Sequence, residues 1–249
     1  MGVQVFGVDI GGSGVKGAPV DLKQGKLAGK RKRIKTPRPS TPDAVADVVK
    51  EVVDTFDWKG PFGVTVPAVV QDGVVRSAAN IDAAWIDTDG VALLEKRLNG
   101  PVTLLNDADA AGLAEDRYGA GRDVDGLVLV LTFGTGIGSA LVYRGRLVPN
   151  SELGHLEFRG MEAEHYCAAR LVEEDDMDVT WWTRRVDEYL NYLERILTPD
   201  LIVFGGGISK RFDEFSDLLV TRAPVVPAEL RNNAGIVGAA LAAQEGATS

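Results

Sequence analysis

Asp9-Ile10-Gly11-Gly12-Ser13-Gly14-Val15-Lys16-Gly17 closes one apolar, β-branched run and opens another. Its glycines allow a tight strand-to-strand turn whose backbone N–H groups face an anion where a side chain would block approach. A second stretch has the same character: Leu131-Thr132-Phe133-Gly134-Thr135-Gly136-Ile137-Gly138-Ser139. Asn106-Asp107 stands between the two. Paired anion-facing turns flanking one carboxylate point to phosphoryl transfer.

Working outward from the first turn, residues 3–10, 15–20 and 27–34 read as a three-strand meander. Pro37, Pro39 and Pro42 interrupt it, and Ser40 or Thr41 can cap a helix over 42–56 with Val45, Val48, Val49, Val52 and Val53 on one side. Strands at 62–66 and 74–77, a helix at 88–98 and a strand at 102–105 complete a β-β-β-α-β-β-α-β order, a mixed sheet with helices on its faces. An Ala-rich helix at 107–118 follows. Strands at 127–132 and 139–143 surround the second turn, and Arg144-Gly145-Arg146 forms a hairpin. The recurrence of strand, glycine turn, strand, hairpin and strand predicts a duplicated α/β lobe with a cleft between the copies. The lobes are expected at 1–106 and 107–249, with a small-residue helix at about 232–245 packing back on the first. A helix at 180–197 presents Trp181, Val186, Leu190, Leu193, Ile196 and Leu197 as core, and a buried strand at 201–204 ends in Gly205-Gly206-Gly207.

The chain has 249 residues, 45% of them hydrophobic and 25% charged, enough for one large domain or two smaller ones and too apolar for extensive disorder. Residues 127–143, the nearest thing to a membrane span, carry no charge but are broken by three glycines, so they read as strand-turn-strand. Met1 to Asp9 lacks the basic-then-apolar layout of a signal peptide, which implies a cytoplasmic protein. Cys167 is the only cysteine, which excludes an internal disulfide and a multi-cysteine metal site.

Charge is unevenly spread. Lys16, Lys23, Lys26, Lys30, Arg31, Lys32, Arg33, Lys35 and Arg38 stand against Asp9 and Asp21, so the first 38 residues carry +7 and the rest −16 of a net −9. A basic stretch on an acidic chain suits a localised anion-binding surface; general nucleic-acid binding would favour a broadly basic domain. Lys23 to Arg38 therefore reads as a track for a polyanion or as a hairpin edge guarded by lysines.

Asp9, at the end of the first strand, can hold a hydrated Mg²⁺, which needs only one or two carboxylates, or can bond the Gly11 or Gly12 amide as a turn cap. Lys16 can reach a phosphate oxygen or lie on the solvent face of its strand. Asp107 opens a helix, where it can act as general base toward an attacking hydroxyl or cap the helix. Glu152 and His155, spaced by three, can present an acceptor and a donor to a polyhydroxylated ligand, help hold a metal, or be structural. Asn80 can offer its amide to a hydroxyl or make an Asx-turn.

Taken in order, Asp9 to Gly17, Asn106-Asp107-Ala108, Gly134 to Gly138 and Glu152-Leu153-Gly154-His155 resemble the motifs of the ROK family of sugar kinases, within the actin-like ATPase superfold. The resemblance covers nearly the whole chain. It implies two ribonuclease-H-like lobes and Asp107 as base. Asn80, Asn106, Asp107, Glu152 and His155 match positions that contact the sugar. The resemblance implies phosphate-binding segments at Gly11, Gly12, Ser13 and Gly14 with Lys16, and at Gly134, Thr135 and Gly136. Gly205, Gly206 and Gly207 match the segment near the nucleoside in members that use ATP. A homodimer is implied as well. Members of the family typically follow Glu-Leu-Gly-His with a cysteine-rich zinc loop; here that loop reads Glu162 to Arg170 with Cys167 alone, so no structural zinc is expected and His155 can serve the sugar. The missing loop and the sequence from Val64 to Asp87 are similar to members that move a phosphoryl group from inorganic polyphosphate to glucose. Ala68 departs from the glycine usual after Pro67. An ATP-dependent glucokinase or mannokinase of the same fold is the alternative, and a non-catalytic sugar sensor is the alternative of another class.

Overall fold

A computed structural model of the chain describes residues 3–79 and 81–246. Its strands are β1 (Gln4–Gly11), β2 (Gly14–Asp21), β3 (Lys26–Leu27), β4 (Lys32–Ile34), β5 (Phe62–Val66), β6 (Val70–Gln71), β7 (Val74–Val75), β8 (Val102–Asn106), β9 (Leu127–Phe133), β10 (Ile137–Tyr143), β11 (Arg146–Val148), β12 (Glu157–Phe158), β13 (Met161–Glu162), β14 (Leu201–Gly206) and β15 (Val225–Pro227). The α-helices are α1 (Pro42–Asp54), α2 (Gly90–Leu98), α3 (Asp107–Tyr118), α4 (Ala163–Cys167), α5 (Arg170–Glu173), α6 (Val179–Leu197) and α7 (Ala234–Glu245). Two compact units result: the chain up to Ala114 together with the chain from Asn233 on, and Glu115–Asn232. Their division falls inside α3. Among the described residues no helix is long and apolar enough to cross a membrane.

The sheet of the first unit runs β3-β2-β1-β5-β8, with β4 also on β2. β1 pairs antiparallel with β2 and parallel with β5, which is parallel to β8. The second unit runs β11-β10-β9-β14-β15, again antiparallel through its first three strands and parallel through the last three. The weak internal repeat in the sequence thus corresponds to one sheet topology used twice, that of the two-lobed actin-like ATPase fold.

Strand alternation sorts the residues of the first unit. Phe6, Val8 and Ile10 of β1 and Phe62, Val64 and Val66 of β5 join Val45, Val49 and Val52 of α1 in one core. The opposite face, with Gly7, Asp9, Gly63 and Thr65, lies under α7. There a Cβ on Gly7 would overlap the Ile236 carbonyl and one on Gly63 the Ala239 carbonyl. Helix α7 answers with its own small residues: Gly238 is seated on the Ala110 carbonyl of α3, and Ala239, Ala240 and Ala242 are buried.

Three local expectations are corrected. The third strand, expected over 27–34, is two short strands. β3 pairs with Val20 and Asp21 and β4 with Val15, Lys16 and Gly17, and the gap faces Pro19, which accepts from the Ala28 amide but has no N–H to donate. The strand expected at 74–77 is only the β6–β7 hairpin, outside the main sheet. In α6 the buried stripe is Trp182, Val186, Tyr189, Leu190 and Leu193; Trp181 is 63% and Ile196 55% exposed. At about 100° per residue, Trp181 falls off the stripe that Trp182 occupies. The Arg184 guanidinium covers its ring at 4.9 Å.

Candidate active site

In the first unit β1 and β2 join through Gly12-Ser13, both exposed, with Gly11 opposite Gly14 and Asp9 opposite Lys16. Two side chains from the following segment hold this turn. Thr36 Oγ1 donates to the Gly11 carbonyl at 2.5 Å, and Arg33 Nη2 donates to the Ser13 carbonyl at 3.0 Å and lies 3.2 Å from Ser13 Oγ. Gly14 leaves room for this arginine: a Cβ there would sit 2.6 Å from Arg33 Nε, so the guanidinium would have to move to admit a side chain.

Asp9 does not cap the turn. Its Oδ2 accepts from Lys16 Nζ at 3.0 Å and its Oδ1 from Thr65 Oγ1 at 3.2 Å. Lys16 lies over this carboxylate, its side chain 22% exposed. The first turn of α7 rests on the same group: a Cβ on Gly235 would be 3.0 Å from Asp9 Cγ. The positive end of that helix complements the carboxylate.

Asp9, Thr65 and Leu105 occupy one row across the parallel strands β1, β5 and β8. Two strand spacings put about 10 Å between the first and last of these backbones. Asp107 follows two residues later, half-buried, as the first residue of α3. Capping belongs to its neighbour. Asn106 Oδ1 accepts from the Ala108 amide at 2.7 Å and the Asp109 amide at 3.2 Å, while its Nδ2 donates to the Ala68 carbonyl at 3.1 Å. Both ends of the Asn106 amide thus join β8 to the Pro67-Ala68 bend and the start of α3. Asn80 lies outside the described residues.

In the second unit Gly134 N donates to the Gly136 carbonyl at 2.9 Å, closing the turn around exposed Thr135, and the Arg170 amide donates to the Gly134 carbonyl at 3.1 Å. The Ile137 amide donates to Glu164 Oε2 at 3.3 Å, and that carboxylate packs against the bare Cα of Gly136. Gly205-Gly206-Gly207 ends β14, with Gly206 opposite Phe133. Gly206 has φ +89, and a Cβ there would overlap the Phe133 backbone. Ser209 Oγ donates to its carbonyl at 2.8 Å.

Glu152 and His155 lie on a single 3₁₀ turn, their Oε2 and Nε2 3.8 Å apart. The Tyr189 hydroxyl donates to the Leu153 carbonyl at 2.9 Å, and Ser139 and Ser151 exchange hydroxyl-to-carbonyl bonds that fix the turn on β10. His155 Nδ1 is 3.1 Å from Glu162 Oε2, and one ligand atom each from His155, Glu162 and Glu164 lie within 4.8 Å of one another. Spacing along the chain gave no sign of this group. Burial raises the Glu152 carboxyl above its usual range, His155 opposing and Glu164 adding to the shift. Burial alone would lower His155, but the Glu162 hydrogen bond and the charges of Glu164, Glu162 and Glu152 outweigh it, so its pKa is raised. Because the folded value lies above the unfolded one of about 6.5, the cationic ring contributes stability below that pH and loses it as pH rises through the folded value. The gap in melting temperature between the wild type and His155→Gln is expected to narrow through that window. A constant gap would show that His155 charge does not contribute.

Thr65, Thr36 and Glu164 carry this geometry without a sequence signal, and Arg33 was marked only as one charge of the basic stretch. Each reaches its place through a register or a loop return that local pattern does not record.

Comparison with known proteins adds to this geometry. The family model described as "ROK family" matches residues 5–171. The polyphosphate glucokinase of Mycobacterium tuberculosis (strain CDC 1551 / Oshkosh) is 54% identical over 238 residues, covering 95% of this chain and 90% of that protein. The crystal structure of the inorganic polyphosphate/ATP-glucomannokinase of Arthrobacter sp. strain KM superposes with a TM-score of 0.94 at 50% identity, covering 98% of this chain and 100% of the other. A ROK family glucokinase from Streptomyces griseus, solved with glucose and AMPPNP, shares the fold at a TM-score of 0.82 and 24% identity, covering 98% of this chain and 100% of the other.

Proposed function

Because the chain belongs to the ROK family, we infer that it moves the terminal phosphoryl group of inorganic polyphosphate, and also that of ATP, onto the 6-hydroxyl of glucose. The observation that carries this reading is the 54% identity to polyphosphate glucokinase, spread over 95% of the chain. The local geometry is what such a transfer needs. Asp107 stands at the C-terminal end of a parallel strand, where α/β sheets present their reacting groups. As general base it takes the proton of the 6-hydroxyl as that oxygen attacks the terminal phosphorus. The bond from this phosphorus to the bridging oxygen breaks, the next phosphate keeps the electron pair, and the polymer leaves one residue shorter. Lys16 and the backbone amides of the first glycine turn meet the charge on the transferring group. In the second unit Glu152 and His155 match positions that bond sugar hydroxyls, and the turns at Gly134 and Gly205 serve the donor.

Asp9 and Thr65 offer adjacent hard oxygen atoms, a carboxylate and a hydroxyl at 3.2 Å, which suits Mg²⁺ held through its waters. Bound there with the donor, the ion would neutralise phosphate charge. The family resemblance also supports a cytoplasmic homodimer, which light scattering checks as a solution mass of twice 26.6 kDa.

A coupled assay of glucose 6-phosphate formation with polyphosphate and ATP as separate donors tests the reading, with mannose as a second acceptor. Turnover with polyphosphate alone is the expected result. Turnover with ATP only would make the chain an ATP-dependent sugar kinase of the same fold.

A further inference from the structure

The basic stretch 23–38 is not a uniform fringe. In β4, Arg33 lies opposite Lys16 of β2, which lies opposite Asp9 of β1, so the three share one row on one face of the sheet. Ile34 belongs to the other face, where it packs against the α1 core, and alternation places Lys32 with it. Arg31, two residues before Arg33, reaches the α7 side: its Nη1 donates to Asn233 Oδ1 at 2.9 Å, directly before the helix whose first turn rests on Asp9. Arg33 therefore lies on the first glycine turn, with Lys16 and Arg31 on the same side of the sheet, while Lys32 belongs to the other.

Within this group Lys16 is paired with Asp9, whereas the charge of Arg33 meets no carboxylate among the described residues. Elsewhere on this acidic chain several arginines pair with carboxylates, among them Arg76 with Asp87, Arg97 with Asp43, Arg144 with Asp125, Arg159 with Glu188 and Arg211 with Glu214. Arg33 is exposed, and its bonds run to Ser13 alone, a carbonyl and a hydroxyl, leaving its cation without an acidic partner among the described residues. A guanidinium presents five N–H donors in a planar fork that matches phosphate oxygens. An exposed fork bonded to the backbone of a phosphate-facing turn, on a chain of net charge −9, is disposed toward an anion from outside the chain.

We propose that Arg33, flanked by Lys16 and Arg31, forms a subsite at the first glycine turn for the phosphates of a polyphosphate donor that lie beyond the third from its reacting end. The inference rests on the donor reading above. ATP, whose chain ends in a nucleoside after three phosphates, has no further phosphate to place there. Arg33 thus acts on donor choice and not on the chemical step.

The test compares the wild type, Arg33→Ala, Arg33→Lys and Lys32→Ala with long-chain polyphosphate and with ATP, at low and high salt. Arg33→Ala is expected to raise KM for long-chain polyphosphate about tenfold more than it raises the KM for ATP, a difference on the scale of one lost charge-assisted hydrogen bond. Arg33→Lys should recover part of the loss, Lys32→Ala should show little of it, and the difference between donors should shrink as salt rises. Melting temperatures of the variants separate this from misfolding. If Arg33→Ala raises both KM values equally, Arg33 merely holds the turn and the subsite is wrong. No change for either donor overturns it as well. A wild type that uses ATP alone overturns the donor reading and the subsite together, whereas polyphosphate turnover indifferent to Arg33 overturns only the subsite.

Discussion

Asp107→Asn should lower kcat by about 10²–10⁴ with either donor while leaving glucose binding measurable, because it deletes the proton acceptor. The substitution is isosteric. Neighbouring Asn106 holds the Ala108 and Asp109 amides and the Ala68 carbonyl, so the helix start and the strand end stay tied. The melting temperature should therefore move little. Asn106→Ala makes the contrast: it removes a helix cap, typically costing about 0.5–2 kcal/mol, and should lower stability and activity together. Glucose affinity from titration calorimetry, kcat from the coupled assay and the two melting curves distinguish the cases. A preserved kcat in Asp107→Asn would remove Asp107 from its role as base and with it the mechanism above.

The second large effect is on stability. Gly63→Val places side-chain atoms where the Ala239 carbonyl of α7 already sits, and that neighbour is backbone with no rotamer to yield. Either α7 lifts from β1 and β5 or the sheet bends. Overpacking of this kind costs about 1–3 kcal/mol or more. For a chain of this size that corresponds to a fall of roughly 2–12 °C in melting temperature. Because α7 also rests on Asp9 through Gly235, activity should fall beyond what the lost folded fraction explains. Val64→Ile, a neighbour on the α1 side of β5, controls for position in the strand. A Gly63→Val protein with the wild-type melting curve would show that α7 is not seated on the sheet as described.

The units of the fold were legible because they are local. Alternating apolar residues ending in glycines make a strand and a turn whatever the rest of the chain does, and the same signal occurring twice foretold two sheets of one topology. Where long-range pairing intervened, the reading failed. The strand expected over 27–34 breaks opposite Pro19, and Trp181 lost its place in the core to Trp182 because only the neighbours of α6 set the phase of the buried stripe. At the site the same division holds. Asp9, Lys16, Asn106 and Asp107 stand out by residue type and by their place beside turns, but their tasks do not: Asp9, Lys16 and Asp107 each had a structural reading beside the chemical one, and Asn106 was marked only by the family resemblance.

By itself the sequence determined the residue types at the two glycine turns, the carboxylate after β8 and the excess of positive charge before Pro39. Tertiary structure alone decided what these groups face. It set Asp9 between Lys16 and Thr65, made Asn106 the cap beside Asp107, brought Glu164 to the second turn, and put Arg33 but not Lys32 on the rim of the first. The physical reason is that a strand's periodicity defines two faces without saying which neighbour covers each. That choice is made by register with strands far away in the chain and by a helix, α7, whose small residues let it close over one face only.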